Sequence, residues 1–259
     1  MNATVLVHTL RSGRIGLIWY LIASFFAVAV GGLGLSTIQG QSAAAIQSIV
    51  KDLPPAMLDA FKINLSSFTS PVGYISARSL SLIWPLVVIA FAAGSAGAIS
   101  GMIERGTIHF ELSLPVSRLQ WFLSRFITGL IGLVLIVLVT FVALTVFASA
   151  QWWRFVPLSL AFGVLWLGVA YAVAAFARDR SLVTGLVFGL FGLQYMLSIL
   201  ADVVNGASWL GNLSIWGSYQ PEQTVNVGVP WGTVGLWLLI GAACFALAQW
   251  RWQARDIPA

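Results

Sequence analysis

The chain is 259 residues long, 59% hydrophobic and only 8% charged, with a mean hydropathy of +0.93. A soluble domain of this length carries charge on about a quarter of its residues, so a surface this poor in charge has to face lipid. The formal charge of +5 does not argue for a nucleic-acid partner, because the arginines flank apolar runs, where membrane topology accounts for them.

The apolar runs are continuous over about 20 residues, the length an α-helix needs to cross a bilayer, whereas the strands of a β-barrel would alternate over about ten. The expected fold class is all-α: a polytopic membrane protein with six transmembrane helices in a single domain over residues 1–259. The 12 Trp and 16 Phe suit aromatic belts at both interfaces. Cys244 is the single cysteine, which excludes an internal disulfide. Lying in an apolar run, it reads as a small buried hydrophobe rather than a reactive thiol.

In chain order, residues 1–14 set His8, Arg11 and Arg14 among Val5, Leu6, Val7 and Leu10, the pattern of a short amphipathic helix on the inner membrane face. The predicted spans are 15–36, 79–101, 127–150, 157–177, 181–202 and 231–250. The first apolar run exceeds the ~7–15 residues of a signal-peptide core, so it is read as a span despite Ala43-Ala44-Ala45 beyond it. Residues 37–78 form a Ser-rich outer loop with Lys51, Asp52, Asp59 and Lys62; Pro54-Pro55 and Ser70-Pro71 suit helix starts. The second span carries Ala93, Gly97 and Gly101 in one stripe and the fifth carries Gly185 and Gly189, spacings that let another helix approach closely. Residues 203–230 form the other outer loop, rich in Gly, Asn, Ser and Trp.

Six spans put both termini on one side. That side collects Arg11, Arg14, Arg105, Arg118, Arg125, Arg178, Arg180, Arg251 and Arg255, against Lys51, Lys62, Arg78 and Arg154 opposite. The bias places both termini in the cytoplasm. A Walker A motif is excluded, since Lys51 and Lys62 are the only lysines and neither follows a glycine. His8 and His109 do not make a metal site by themselves, and no catalytic residue or metal ligand is assigned. Asp202 is the one ionisable group near a span interior, and it reads as interfacial. Gln194 and Tyr195 in the fifth span, and Ser95 in the second, either line a pathway or hydrogen-bond between helices.

The longest charged interruption is residues 101–126, with Glu104, Arg105, His109, Glu111, Arg118 and Arg125. Pro115 should stop a helix begun near Met102. Ser117 with Gln120 three residues on is a capping-box pattern that starts a new helix. Leu119, Phe122, Leu123 and Phe126 recur at helical spacing, while Arg118, Trp121 and Arg125 share another stripe, which reads Arg125 as a headgroup anchor. On the residues alone, an ordinary connection with inside-positive arginines explains the stretch as well as a working element does.

Gly106-Thr107-Ile108 followed by Leu112-Ser113-Leu114-Pro115-Val116-Ser117-Arg118, led by Glu104-Arg105, resembles the signature of type-2 permeases of ATP-binding-cassette (ABC) exporters. The six-span layout around it extends that resemblance over the chain. The resemblance implies that residues 102–118 form a cytoplasmic coupling helix seated on a separate ABC ATPase. Glu104, Arg105, Gly106, Thr107, His109, Glu111, Pro115, Ser117 and Arg118 would be its coupling residues. It also implies that the loop before the last span folds back as short re-entrant helices, for which 206–229 is apolar enough. One departure is that His109 stands where the family usually has an acidic residue, and Glu111 falls in the leucine run.

The function implied is that of the membrane subunit of an ATP-driven exporter in the cell (inner) membrane, and not an enzyme in itself. ATP and Mg would sit on the partner ATPase, present in two copies, with a second permease subunit completing the assembly among membrane lipids. A different class of function is a membrane-embedded enzyme or assembly factor acting through its outer loops, for which Asp202, Asn205 and Glu222 are the candidate side chains. A secondary carrier is the third, weakened by the missing midplane carboxylate.

Overall fold

The computed structural model describes residues 3–39, 70–112, 117–147, 151–204, 206–207 and 209–255. The outer-loop features at Lys51, Asp52, Pro54-Pro55, Asp59 and Lys62, together with Pro115, Asn205 and the side chain of Asp202, lie outside the described residues. Every described element is a helix. Six of them are long and apolar enough to cross a membrane.

Helix α1, Ala3–Gln39, is unbroken, so the expected boundary between an interfacial N-terminal helix and the first span is absent. Its 37 residues reach about 55 Å, well beyond the ~30 Å hydrocarbon core. The second crossing starts in two pieces. The Ser70 side chain accepts the Gly73 N–H at 2.9 Å and Pro71 fills the first turn of α2, Pro71–Ile75. A π-helical turn, Ser76–Leu80, follows, and then α3, Ile83–Glu104. After a short helix α4, Ile108–Leu112, come α5, Arg118–Phe147, and α6, Phe155–Phe176, which is preceded by a 3₁₀ turn over Trp152–Arg154. Helix α7, Arg180–Val203, is capped by Asp179; its carboxylate accepts the Leu182 N–H at 2.7 Å. Three short helices, α8 (Trp209–Leu213), α9 (Ile215–Ser218) and α10 (Pro221–Asn226), precede α11, Trp231–Ala254.

Between helices in lipid there is little hydrophobic drive, so close contact depends on small residues and hydrogen bonds. The most extensive contact is α6 against α11, where Gly168 and Gly241 bring the backbones together: a Cβ on Gly241 would lie 2.8 Å from the Val164 carbonyl oxygen. Gly97 and Gly101 make room for the start of α7, a Cβ on Gly97 meeting Arg180 Cγ at 3.2 Å. The fifth-span pair behaves differently. Gly185 and Gly189 face open space, with nothing within 4 Å of an added Cβ, so the close approach expected there is not made within this chain. Those two positions lie on the exposed face of α7, because its buried face is set by Val183, Val187 and Phe191.

The segment before α11 folds back along the bundle. Gln194 accepts Ser214 Oγ on its backbone oxygen at 2.7 Å and the Ile215 N–H on its side-chain oxygen at 3.0 Å. Gln194 lies nine residues before the end of α7, about 13 Å along the axis. Trp216 is buried against Phe162, Phe191 and Tyr195, and Tyr219 donates to the Leu80 carbonyl at 3.0 Å.

A polar node ties α1, α3 and α5. Thr140 donates to the Ile136 carbonyl at 2.8 Å, which leaves its oxygen to accept Trp84 Nε1 at 2.7 Å and the Ser24 hydroxyl at 2.7 Å. Thr140→Val strands both donors and should cost about 1–2 kcal/mol, whereas Thr140→Ser keeps the node. Thermal denaturation of the purified protein in detergent checks this, with the valine variant alone expected to melt earlier.

Candidate functional site

The charged connection between α3 and α5 begins with a turn that glycine makes possible. Helix α3 ends at Glu104, with Arg105 N–H donating to the Gly101 carbonyl at 3.2 Å and Gly106 N–H to that of Ile103 at 3.0 Å. Gly106 has φ +68°, the left-handed conformation that costs other residues about 1–2 kcal/mol. The chain therefore turns at 105–107 before α4 starts, and Met102 belongs to the last turn of α3, so the helix expected to begin near Met102 is interrupted here. Thr107 Oγ1 donates to the Met102 carbonyl at 3.4 Å across this turn.

Helix α4 is oriented by its inward face. Ile108 is 1% exposed, and the Glu111 carboxylate accepts Trp121 Nε1 at 3.0 Å and pairs with Arg125 at 3.1 Å. His109 and Phe110 consequently face out, Phe110 at 79% exposure. The Arg125 side chain keeps only 11% of its surface, and its guanidinium lies 5.1 Å from the Trp121 ring centre. The expectation that Arg125 anchors a headgroup is thus overturned. Arg125 enters the bundle and pairs there, since a guanidinium at that depth needs a counter-charge.

Around α4 the ends of the long helices are tied to one another. Ser117 Oγ accepts the Gln120 N–H at 3.2 Å and caps α5, while the exposed Arg118 donates to the Arg255 carbonyl at 3.1 Å. Arg255 donates in turn to the Ala174, Ala175 and Ala177 carbonyls at 3.4, 3.2 and 2.9 Å, closing the C-terminal end of α6. Burial holds the Arg255 pKa below its ordinary value, with Arg251 and Arg178 nearby adding to the effect. Asp179 is held below the ordinary carboxylate range by hydrogen bonds from the Ser181 hydroxyl and the Leu182 N–H. The Glu104 carboxylate accepts the Arg180 N–H at 3.3 Å, joining the ends of α3 and α7.

Behind α4 lies a pocket of about 490 Å³ bounded by α1, α3, α5, α6 and the start of α7. Arg105, Glu111, Arg125 and Arg180 line one part, and Leu17, Tyr20 and Phe91 another. Ser95 is in its wall, its hydroxyl 3.3 Å from that of Tyr171, which donates to the Arg125 carbonyl at 2.8 Å. Gln194 and Tyr195 are elsewhere: Gln194 holds the folded-back segment, and Tyr195 joins the aromatic cluster around Trp216. Glu222 lies in the first turn of α10, at the far end from α4. Among the described residues no three of His, Cys, Asp and Glu come together as metal ligands would.

The family described as ABC-2 family transporter protein matches residues 6–215, which span α1 through α8 and include the α3–α5 connection. The chain belongs to the ABC-2 transporter family. No curated protein matches it. As a member it is an ABC transporter permease, a multi-pass membrane protein whose family implies an ABC ATPase partner.

Two groups in this ABC-2 permease escaped the sequence reading. Phe110 is not marked in the sequence, because an apolar residue in an apolar chain carries no signal. The spacing of Ile108 and Glu111, three apart, is the clue that His109 and Phe110 share the opposite face. The pairing of Arg125 with Glu111 spans 14 positions and two helices, and no local pattern announces it. Removing one partner of this half-buried, charge-assisted pair should cost about 1–3 kcal/mol, and removing both should cost less than the sum. A double-mutant cycle with Glu111→Gln and Arg125→Met, read by thermal denaturation, should therefore show strong positive coupling; additive effects would mean the pair contributes nothing.

Proposed function

We propose that the protein is the membrane subunit of an exporter driven by a separate ABC ATPase, with α4 as the coupling helix. In this reading α4 and both termini face the cytoplasm, in a cell (inner) membrane. The arginine bias toward the α4 end supports that orientation. The chain carries no catalysis of its own; ATP and Mg are held by the ATPase. Two ATPase copies and a second permease chain, identical or homologous, complete the machine. The open face at Gly185 and Gly189 is suited to helix contact with that second chain.

The observation that carries the reading is the two-sidedness of α4. Ile108 and Glu111 fasten it to the bundle, while His109 and Phe110 stand outward where a partner protein can seat them. Closure of the ATPases on ATP would press this outward face. The displacement would pass through the Gly106 turn into α3, and from α3 to α7 where Gly97 and Gly101 meet Arg180. Outward opening and resetting are then two states whose balance nucleotide shifts. Export rather than import follows from the resemblance of the Gly106–Arg118 stretch to exporter permeases. The lack of a nucleotide-binding lysine on this chain fits an engine that is a separate subunit.

Co-expression with the ATPase of a neighbouring gene should give a complex that co-purifies. Phe110→Ala should weaken it by about 1–3 kcal/mol, as expected for an exposed anchor seated in a partner's pocket. Retention of full ATPase binding and coupling by Phe110→Ala combined with His109→Ala would remove α4 as the docking element. Orientation is checked in a Cys244→Ser background by single cysteines at Ser117 and Val227, both exposed and at opposite ends of the bundle. They should react with a membrane-impermeant maleimide from opposite sides, Ser117→Cys only from the cytoplasm.

A further inference from the structure

The pocket behind α4 is charged in a way that the α4–bundle attachment does not use up. Its wall carries three guanidiniums, Arg105, Arg125 and Arg180, against the single carboxylate of Glu111. Glu104, the other acid nearby, accepts the Arg180 N–H at 3.3 Å. Arg125 is the deepest of the three arginines, seven residues into α5 and about 10 Å from its start. A guanidinium offers five N–H donors. Nη2 of Arg125 meets Glu111 Oε2 at 3.1 Å and Met102 Sδ at 3.7 Å, while its Nε is buried with no hydrogen-bond partner. A buried donor left unmatched in a low-dielectric site is strongly disfavoured.

The pocket is also graded along the bundle axis. On α3 its lining runs from Arg105 back to Phe91, fourteen positions or about 20 Å; on α5 it runs from Arg125 to Gly132. Beyond the arginines the wall is mostly apolar, with Leu17, Phe91 and Gly132, and carries the hydroxyls of Ser95, Thr128 and Tyr20. A Cβ on Gly94 would come within 2.8 Å of the Tyr20 hydroxyl, and one on Gly132 would strike the Phe91 ring. One end therefore suits an anionic head and the other an apolar tail.

We propose that this pocket binds an amphiphile with a phosphate headgroup, the head held by Arg125, Arg105 and Arg180 and the tail lying toward Phe91 and Gly132. The two positive charges in excess on the wall match a phosphate monoester, which carries about −1.5 to −2 at pH 7, better than they match a carboxylate. Glu111 is the internal competitor for Arg125. A phosphate that takes the Arg125 guanidinium loosens Glu111, and with it the inward hold on α4. Resting on the reading of α4 as the coupling helix, occupancy of the pocket is thereby reported to the ATPase.

The test uses the full chain purified in a neutral maltoside detergent and needs no ATPase, so its failure leaves the proposed exporter role standing. Native mass spectrometry with dodecyl phosphate should show one molecule retained per chain, with dodecyl maltoside and dodecyltrimethylammonium not retained. Arg125→Gln should weaken binding about tenfold or more, in line with losing a charge-assisted hydrogen bond. Arg105→Gln with Arg180→Gln, both at exposed positions, should weaken it comparably, so that an Arg125 variant that fails to fold does not decide the matter. Arg178→Gln, outside the pocket, should change nothing. Glu111→Gln should raise affinity several-fold, the opposite sign from the arginine variants. Equal retention of the cationic or neutral amphiphile, an Arg178→Gln loss as large as that of the pocket arginines, or no gain with Glu111→Gln would each overturn the proposal. Inorganic phosphate competing as well as dodecyl phosphate would assign the site to a free anion and overturn the amphiphile.

Discussion

A guanidinium placed about two turns inside an apolar bundle must find a counter-charge or stay out, and Arg125 finds Glu111. Much of the geometry at that end of the molecule follows from this pair. Glu111 sits on α4, so satisfying Arg125 fixes the rotation of α4 about its own axis and draws it against Trp121 and the start of α5. Once Glu111 and Ile108 point inward, helical geometry leaves His109 and Phe110 outward. A connection that looks like a charged loop thus becomes a short helix with one face committed to the bundle and one face presented.

The remainder of the bundle divides by the kind of contact that holds it. Helices α5, α6 and α11 are joined by backbone approach at Gly168 and Gly241 and by stacked rings, with Phe126 and Phe245 at 3.7 Å and Trp121 and Trp252 at 5.5 Å. Glycine contacts and stacked rings tolerate little sliding, because any displacement drives backbone into backbone. Helices α3 and α7 meet instead across Gly97 and Gly101 and the flexible side chain of Arg180, with one backbone-to-carboxylate hydrogen bond from Arg180 to Glu104. That contact has more freedom, and it adjoins both the Gly106 turn and the pocket. At the other end the π-helical turn before α3, and α6 and α7, are pinned by the folded-back segment through Tyr219, Trp216 and Gln194. Motion driven from α4 would accordingly be largest at the α4 end and damped at the other.

The ABC-2 family assignment and this geometry bear on one another. The family implies an ABC ATPase partner for the permease. The coordinates add that the residues of the Gly-Thr signature have local structural duties. Gly106 supplies a left-handed turn, Thr107 bridges it, and Ser117 caps the next helix. A pattern of this kind is needed to fold the connection whatever partner it meets.

By itself the sequence determined the class and the six apolar spans, because twenty-residue apolar runs have one solution in lipid. It also determined the cap at Ser117, which is decided within a few residues, whereas the break at Gly106 interrupts a helix that the sequence pattern runs from Met102 toward Pro115. Only the tertiary structure decided which face of each helix meets which neighbour. Spacing placed Gly97 with Gly101, and Gly185 with Gly189, on equal terms, yet one pair receives α7 and the other faces outward. Spacing likewise put Arg125 on a stripe with Arg118, and the fold sent one into the bundle beside Glu111 and left the other exposed. Helical periodicity fixes which residues share a side. Which side is buried depends on partners far away in the chain, and for Arg125 that partner stands on another helix.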